Sequence, residues 1–139
     1  MRFLLDTNTC IQYLNGRSTQ VRDRLHSKAP GDVALCSVVK AELFYGALRT
    51  RNPQRTLALL GTFLARFQSL AFDDRCAELY GRIRARLTEL GTPIGPNDLL
   101  IAAIALAHSA VLVTHNTREF GRVEGLLWED WEAGTRSTP

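Results

Sequence analysis

The stretch whose reading decides the fold is Phe3-Leu4-Leu5-Asp6-Thr7-Asn8. Three apolar residues in a row read as a buried strand. A carboxylate then stops the run, and two more polar side chains follow at once. One reading makes Asp6 a helix cap, because Asp, Thr and Asn all accept hydrogen bonds from the free N–H groups where a helix begins. Residues Thr9 to Leu14 would be that helix. The other reading uses a rule of α/β folds. Ligands bind in the crevice beyond the carboxyl ends of parallel strands, so a carboxylate placed there is a candidate metal ligand or acid–base group. This stretch alone does not separate the two.

Working outward, strands and helices alternate. Arg2 to Leu5 reads as a strand and Thr7 to Leu14 as a short helix, ended near Asn15-Gly16. Ser18 or Thr19 can cap a second helix reaching about Lys28. Pro30-Gly31 breaks it, and Val33 to Cys36 is a second strand. Ser37 can cap a helix to about Arg49. Pro53 suits the first turn of the next helix, whose apolar positions Leu57, Leu60, Phe63, Leu64 and Phe67 recur at intervals of three and four. Leu70 to Phe72 reads as a short strand. Asp73 can cap a long helix to Leu90, which Gly91 terminates. After the turn-rich GTPIGPND loop come an apolar helix, Leu99 to His108, and a strand, Ala110 to Thr114. Leu126 to Trp128 is an edge-strand candidate. This order implies an α/β protein of three layers, α/β/α, with a central, mainly parallel sheet of four or five strands.

The totals fit one domain, with 139 residues, 45% hydrophobic and 22% charged. Residues 1–139 are therefore read as a single domain, the last few from about 133 as a flexible tail. The longest apolar run, Leu99 to Ala107, is too short for the roughly 20 residues of a membrane span. The start lacks the basic, apolar and small-residue pattern of a signal peptide. Cys10, Cys36 and Cys76 are scattered and form no CxxC pair. They argue for reduced thiols, a cytoplasmic setting and no cysteine-based zinc site. The net charge of +3 is modestly basic. Arginines cluster at Arg49 and Arg51, and again at Arg75, Arg82, Arg84 and Arg86.

Several polar groups sit where a plain core would not want them. Asp6 follows the first strand. Glu42 lies within SVVKAELFYGAL, a helix apolar nearly all round, with Val38, Val39, Tyr45 and Gly46 as its neighbours. A carboxylate there is costly unless it is paired or metal-bound; Arg49 is one candidate partner. Asp98 begins the apolar helix DLLIAAIALA, where it would also favour the helix dipole. Asn116 follows the strand AVLVT and could simply cap the short helix TREF. Glu119 stands three residues later. If the strands are parallel neighbours, Asp6, Asn116 and the early turns around Glu42 share one sheet edge. Carboxylates meeting in one cleft repel, and hard divalent cations with oxygen ligands, such as Mg²⁺ or Mn²⁺, relieve that repulsion.

These residues carry a family resemblance. LLDTN at Asp6, SVVKAELFYGA at Glu42, GTPIGPNDLLIAAIA at Asp98 and LVTHNTREFGRVEGLLWEDW from Leu112 to Trp131 resemble PIN-domain ribonucleases, and among them the VapC-type toxins of type II toxin–antitoxin pairs. The likeness runs nearly the whole chain, in family order. It implies a Mg²⁺- or Mn²⁺-dependent endoribonuclease with Asp6, Glu42 and Asp98 as metal ligands and Asn116 beside them in the catalytic set. Thr7 and Asn8 would shape the turn that presents Asp6, with Thr114 and Glu119 in support. Many relatives have an aspartate where this chain has Asn116. An amide oxygen can still serve a metal site, but it brings no charge, so a second ion would be held weakly unless Glu119 supplies it.

The resemblance also implies attack by water on structured RNA such as transfer RNA, leaving 5′-phosphate and 3′-hydroxyl ends. It further implies a homodimer and a VapB-type antitoxin whose tail covers the cleft. An ion held by the acids would activate the water and neutralise charge on the phosphate. Setting aside Asp6, Glu42, Asp98 and Glu119 leaves 10 of the 14 acidic residues against 17 basic ones, a balance of +7 that suits an anionic substrate. The sequence does not choose which arginines would meet the RNA. His115, beside Asn116, is a substrate-contact candidate. Two rivals remain at this point: a PIN-like binding module without catalysis, and a phosphatase or flap-type DNA nuclease using the same acids.

Overall fold

The computed structural model describes residues 2–139. Six strands form one sheet: β1 Phe3–Leu5, β2 Val33–Cys36, β3 Gln68–Leu70, β4 Val111–Val113, β5 Trp128–Asp130 and β6 Thr135–Arg136. Seven α-helices accompany them: α1 Thr7–Leu14, α2 Thr19–His26, α3 Ser37–Leu48, α4 Pro53–Leu64, α5 Asp74–Glu89, α6 Pro96–Ala107 and α7 Thr117–Phe120.

The strand order is β3-β2-β1-β4-β5-β6. All neighbours are parallel except β5 and β6. β1, β2 and β4 are apolar and buried at every position, as central strands covered on both faces must be. From β1 the chain steps one way to β2 and β3, then returns across to β4 and β5. Right-handed crossovers in opposite directions cover opposite faces. Accordingly, α1 packs on α2 and α3, and α3 on α4, while α5 packs chiefly on α6. The core fills the space between, with Leu4, Leu35, Ile104 and Leu112 wholly buried. Truncating any of these to alanine would cost roughly 2–5 kcal/mol.

The sheet has one strand more than expected, and its edge differs. β5 is Trp128–Asp130, two residues later than the expected edge strand. It is not the edge, because Thr135–Arg136 folds back to pair with it antiparallel. That short strand lies within the segment read from the sequence as a tail. β3 is Gln68–Leu70 instead of Leu70–Phe72. α4 stops at Leu64, and Ala65 to Phe67 form the turn that leads in, so Phe67 is a core residue outside the helix. Cys36, not Ser37, occupies the cap position of α3, and its side chain makes no cap bond.

The topology creates one special place. β1 and β4 are neighbours from which the chain departs in opposite directions, so a crevice opens beyond their carboxyl ends, where α/β folds bind ligands. Asp6 follows β1 directly. Thr114, His115 and Asn116 follow β4. The Asp6 amide donates to Val113 O at 3.0 Å and ties the two strand ends together.

Candidate active site

Asp6 caps α1 and also lies at the carboxyl end of β1, where the crevice opens. Its Oδ1 accepts the Thr9 amide at 2.9 Å, which caps α1. It is also only 5% exposed, at the floor of the crevice. Burial raises its pKa above the ordinary carboxylate range; hydrogen bonds from Thr114 and Thr9 oppose the rise, and the charge of Glu42 adds to it. The Thr9 hydroxyl reaches across to Val113 O at 3.2 Å and stiffens the same corner. Asn8, on the exposed side of α1, makes no side-chain hydrogen bond among the described residues.

Glu42 reaches the crevice from the second turn of α3. Its partner is not Arg49, whose guanidinium lies over the Tyr45 ring. The Thr7 hydroxyl donates to Glu42 Oε1 at 2.6 Å and links the start of α1 to α3. Gly46, one turn on, borders an apolar groove, and a Cβ there would meet nothing within 4 Å. The apolar residues of α3 are not all buried: Phe44, Tyr45 and Leu48 are exposed, whereas Phe63 on α4 is buried.

Asp98 sits in the first turn of α6, and α6 touches α3. Its pKa is pushed up to about 6. Burial is the largest cause, followed by a hydrogen bond and repulsion from Glu119, and then the charges of Asp6 and Glu42. Asn116 stands at the cap position of α7 but makes no cap bond. Its amide nitrogen instead donates to Glu119 Oε2 at 2.7 Å and to Asp98 Oδ2 at 3.4 Å. The Asn116 backbone is held by the Thr114 hydroxyl at 3.0 Å. The structure thus brings Asp6, Glu42, Asp98, Asn116 and Glu119 to one crevice, with Thr7 and Thr114 bracing them.

The donor set is all oxygen apart from one amide, and burial together with neighbouring carboxylates raises the pKa of Asp6 and of Asp98. Both features suit a hard divalent cation. Asp6 and Glu42 each accept from a threonine donor, whereas Asp98 and Glu119 share the Asn116 amide. The tightest trio of metal-capable groups among the described residues lies next door, where His115, Asp130 and Glu132 have their ligand atoms within 4.8 Å of one another. Asp130 was not singled out in the sequence, although it too is a carboxylate ending a strand. It is buried; its Oδ1 accepts the amides of Glu132 and Ala133, and its Oδ2 takes His115 Nδ1 at 2.8 Å. That contact raises the His115 pKa. Saturated in this way, Asp130 serves chiefly to fix the imidazole beside Asn116.

An apolar groove of about 390 Å³ runs from Glu42 between α1, α3 and α4, past Ile11, Leu14, Ala47 and Leu59. Ile11, Leu14 and Leu59 are exposed along it. No helix of the described residues is long and apolar enough to cross a membrane.

Comparison with known proteins agrees with this architecture. The family model for the PIN domain matches residues 3–126. The chain is 41% identical over 131 residues to the "tRNA(fMet)-specific endonuclease VapC" of Shigella flexneri, covering 94% of this chain and 98% of that one. It is 37% identical over 133 residues to "Ribonuclease VapC2" of Rickettsia felis, covering 95% and 99%. Among solved structures, the VapBC2 complex of Rickettsia felis bound to a promoter DNA fragment superposes with a TM-score of 0.88 at 36% identity, over 94% of this chain and 99% of that one. The DNA-bound VapBC complex of Salmonella typhimurium also gives 0.88, at 39% identity, over 94% and 98%. With its acids gathered at the switch point of the sheet and its whole length matched, the chain belongs to the PIN-domain family, in its VapC-type branch.

Proposed function

We propose that this chain is the toxin of a toxin–antitoxin pair, an endoribonuclease that uses Mg²⁺ or Mn²⁺ held by Asp6, Glu42 and Asp98. One observation supports this above all: three carboxylates from distant parts of the chain, with Asn116 and Glu119, converge beyond the carboxyl ends of β1 and β4 and repel one another there. A bound divalent ion would supply charge neutralisation at the phosphate and a more acidic water. The protein's own part is placement. Thr7 fixes the Glu42 carboxylate, and the Thr9 amide and hydroxyl hold Asp6 and the end of β4. Asn116 spans Asp98 and Glu119 and keeps that pair together. Attack by water leaves 5′-phosphate and 3′-hydroxyl ends.

The relatives' names favour RNA over DNA, and the Shigella relative is named for a transfer RNA. A VapB-type antitoxin is the protein partner, as in the VapBC complexes that this chain resembles. The apolar groove that starts at Glu42 suits its docking, because a segment lying there would cover both exposed apolar side chains and one acid of the site.

The test incubates the purified protein with Mg²⁺ or Mn²⁺ and, in turn, structured RNA, single-stranded RNA, DNA and a phosphomonoester. Metal-dependent cutting of RNA with 5′-phosphate ends is the expected result. RNA binding without any cutting would leave a binding module instead. Preference for DNA or the monoester would make it another metal hydrolase.

A further inference from the structure

The structure sorts the arginines that the sequence left undecided. Arg84 turns aside to Tyr80, donating to its hydroxyl at 3.1 Å. Arg82 and Arg86, one helical turn apart on α5, instead face Arg122, which follows α7, across a shallow cavity of about 200 Å³. Ile83 and Leu106 contribute to its apolar lining, and Glu124 is the one carboxylate that lines it. Among the described residues Arg82 and Arg122 form no salt bridge, and Arg86 has only the exposed Glu89 at 3.8 Å. Like charges four apart on a helix repel. A third arginine brought against them deepens the repulsion, unless an anion sits between.

The cavity is tied to the acidic crevice. Arg122 Nη1 donates to Pro93 O at 2.9 Å, in the loop that leads into α6 and Asp98. The Arg122 amide donates to Glu119 O at 3.1 Å, and the Glu119 carboxylate holds Asn116. Arg122 is therefore anchored at one donor, with further N–H groups left for a ligand. Guanidinium groups present fixed forks of donors that match phosphate oxygens.

We propose that the cavity bounded by Arg82, Arg86 and Arg122 is a subsite for an RNA backbone phosphate flanking the one that is cut. It rests on the ribonuclease reading. It names where the strand is gripped, and the cavity shares no lining residue with the apolar groove.

The experiment measures binding of a labelled single-stranded RNA by anisotropy in chelator, from 50 to 200 mM salt, and cleavage kinetics separately in Mn²⁺. It compares the wild type with the triple variant Arg82→Ala/Arg86→Ala/Arg122→Ala. A double variant, Arg82→Gln/Arg86→Gln, touches only exposed helix positions and guards against misfolding. Arg22→Ala on α2 is the control, and melting temperature is followed throughout. Each lost phosphate contact lowers the salt slope by about 0.7 for a single strand. The triple variant should lose about 2 in slope and bind at least tenfold more weakly, with KM raised and kcat within about twofold. The double variant should show roughly two-thirds of the slope change. If the wild type cuts RNA but the variants match it in slope and KM, the subsite is wrong. Labelled poly-glutamate is measured in parallel; variants that lose its binding while RNA binding is unchanged would mark an acidic-protein surface and also overturn the subsite. A wild type that neither binds nor cuts RNA would instead overturn the ribonuclease reading.

Discussion

Thr7 Oγ1 donates to Glu42 Oε1 at 2.6 Å, so the residue after the first acid of the crevice orients the second. A hydrogen bond to a charged carboxylate is worth about 1.5–3 kcal/mol. Outer-shell partners of this kind typically change metal affinity by roughly 10- to 100-fold. Thr7→Val keeps the shape and removes the donor. It should weaken Mn²⁺ binding at least tenfold, and Thr7→Ser should recover most of the loss. Titration calorimetry reads both. Equal affinity in all three proteins would place Glu42 outside the metal site.

Asp6 offers a simpler contrast. A ligand that binds only the folded state stabilises it by about 2.7 kcal/mol at one hundred times its dissociation constant. Excess Mn²⁺ should therefore raise the melting temperature of the wild type by several degrees and do much less for Asp6→Asn. The mutant keeps the capping oxygen for Thr9, so its fold should survive. Equal shifts in the two proteins would count against a metal at Asp6.

Asn116 makes the opposite prediction. Its amide bridges Glu119 and Asp98, which an aspartate cannot do without protonation. Asn116→Asp should lower stability in chelator, because a further carboxylate joins the crowd. It should strengthen Mn²⁺ binding for the same reason. Weaker or unchanged metal affinity would separate Asn116 from the ion.

How far the sequence reached can be traced residue by residue. β1, β2 and β4 are legible because strands buried on both faces are continuous apolar runs. Glu42 and Asp98 are legible because a carboxylate among apolar helix positions demands a partner. Thr7 as that partner is not legible, since thirty-five residues separate the two and only the packing of α1 against α3 joins them. β6 is hidden because Thr135-Arg136 carries no apolar alternation; its register comes from pairing with β5. Asp130 is missed because its strand is expected two residues early, which leaves Glu129 and Asp130 beyond the strand end. The arginines of α5 read as one cluster in sequence, yet residues two apart on a helix point to nearly opposite sides, so Arg84 and Arg82 face different flanks.

Asp98 allows the most decisive test, because its two roles predict opposite signs. A carboxylate in the first turn of a helix stabilises it by about 0.3–1 kcal/mol. Two like charges about 4 Å apart repel by roughly 4 kcal/mol at an effective dielectric constant of about 20. Repulsion should win in a crevice that holds Asp6, Glu42 and Glu119. The pKa carries the same sign. The folded value of about 6 lies above the ordinary 3.8. Between those values the folded chain holds more protons than the unfolded chain, so stability falls as pH rises through the window. Below 3.8 both states are protonated and Asp98 has no such effect; above 6 the penalty is complete. Asp98→Asn removes the penalty. In chelator the mutant should gain on the wild type as pH rises from about 4 to about 6 in denaturant unfolding, and keep that gain at pH 7. In Mg²⁺ or Mn²⁺ it should lose RNA cleavage. A mutant that is less stable at pH 7 and still cuts RNA at the wild-type rate would reduce Asp98 to a helix-dipole partner. Loss of cleavage with stability intact or raised is the outcome that only a crowded, metal-holding carboxylate produces.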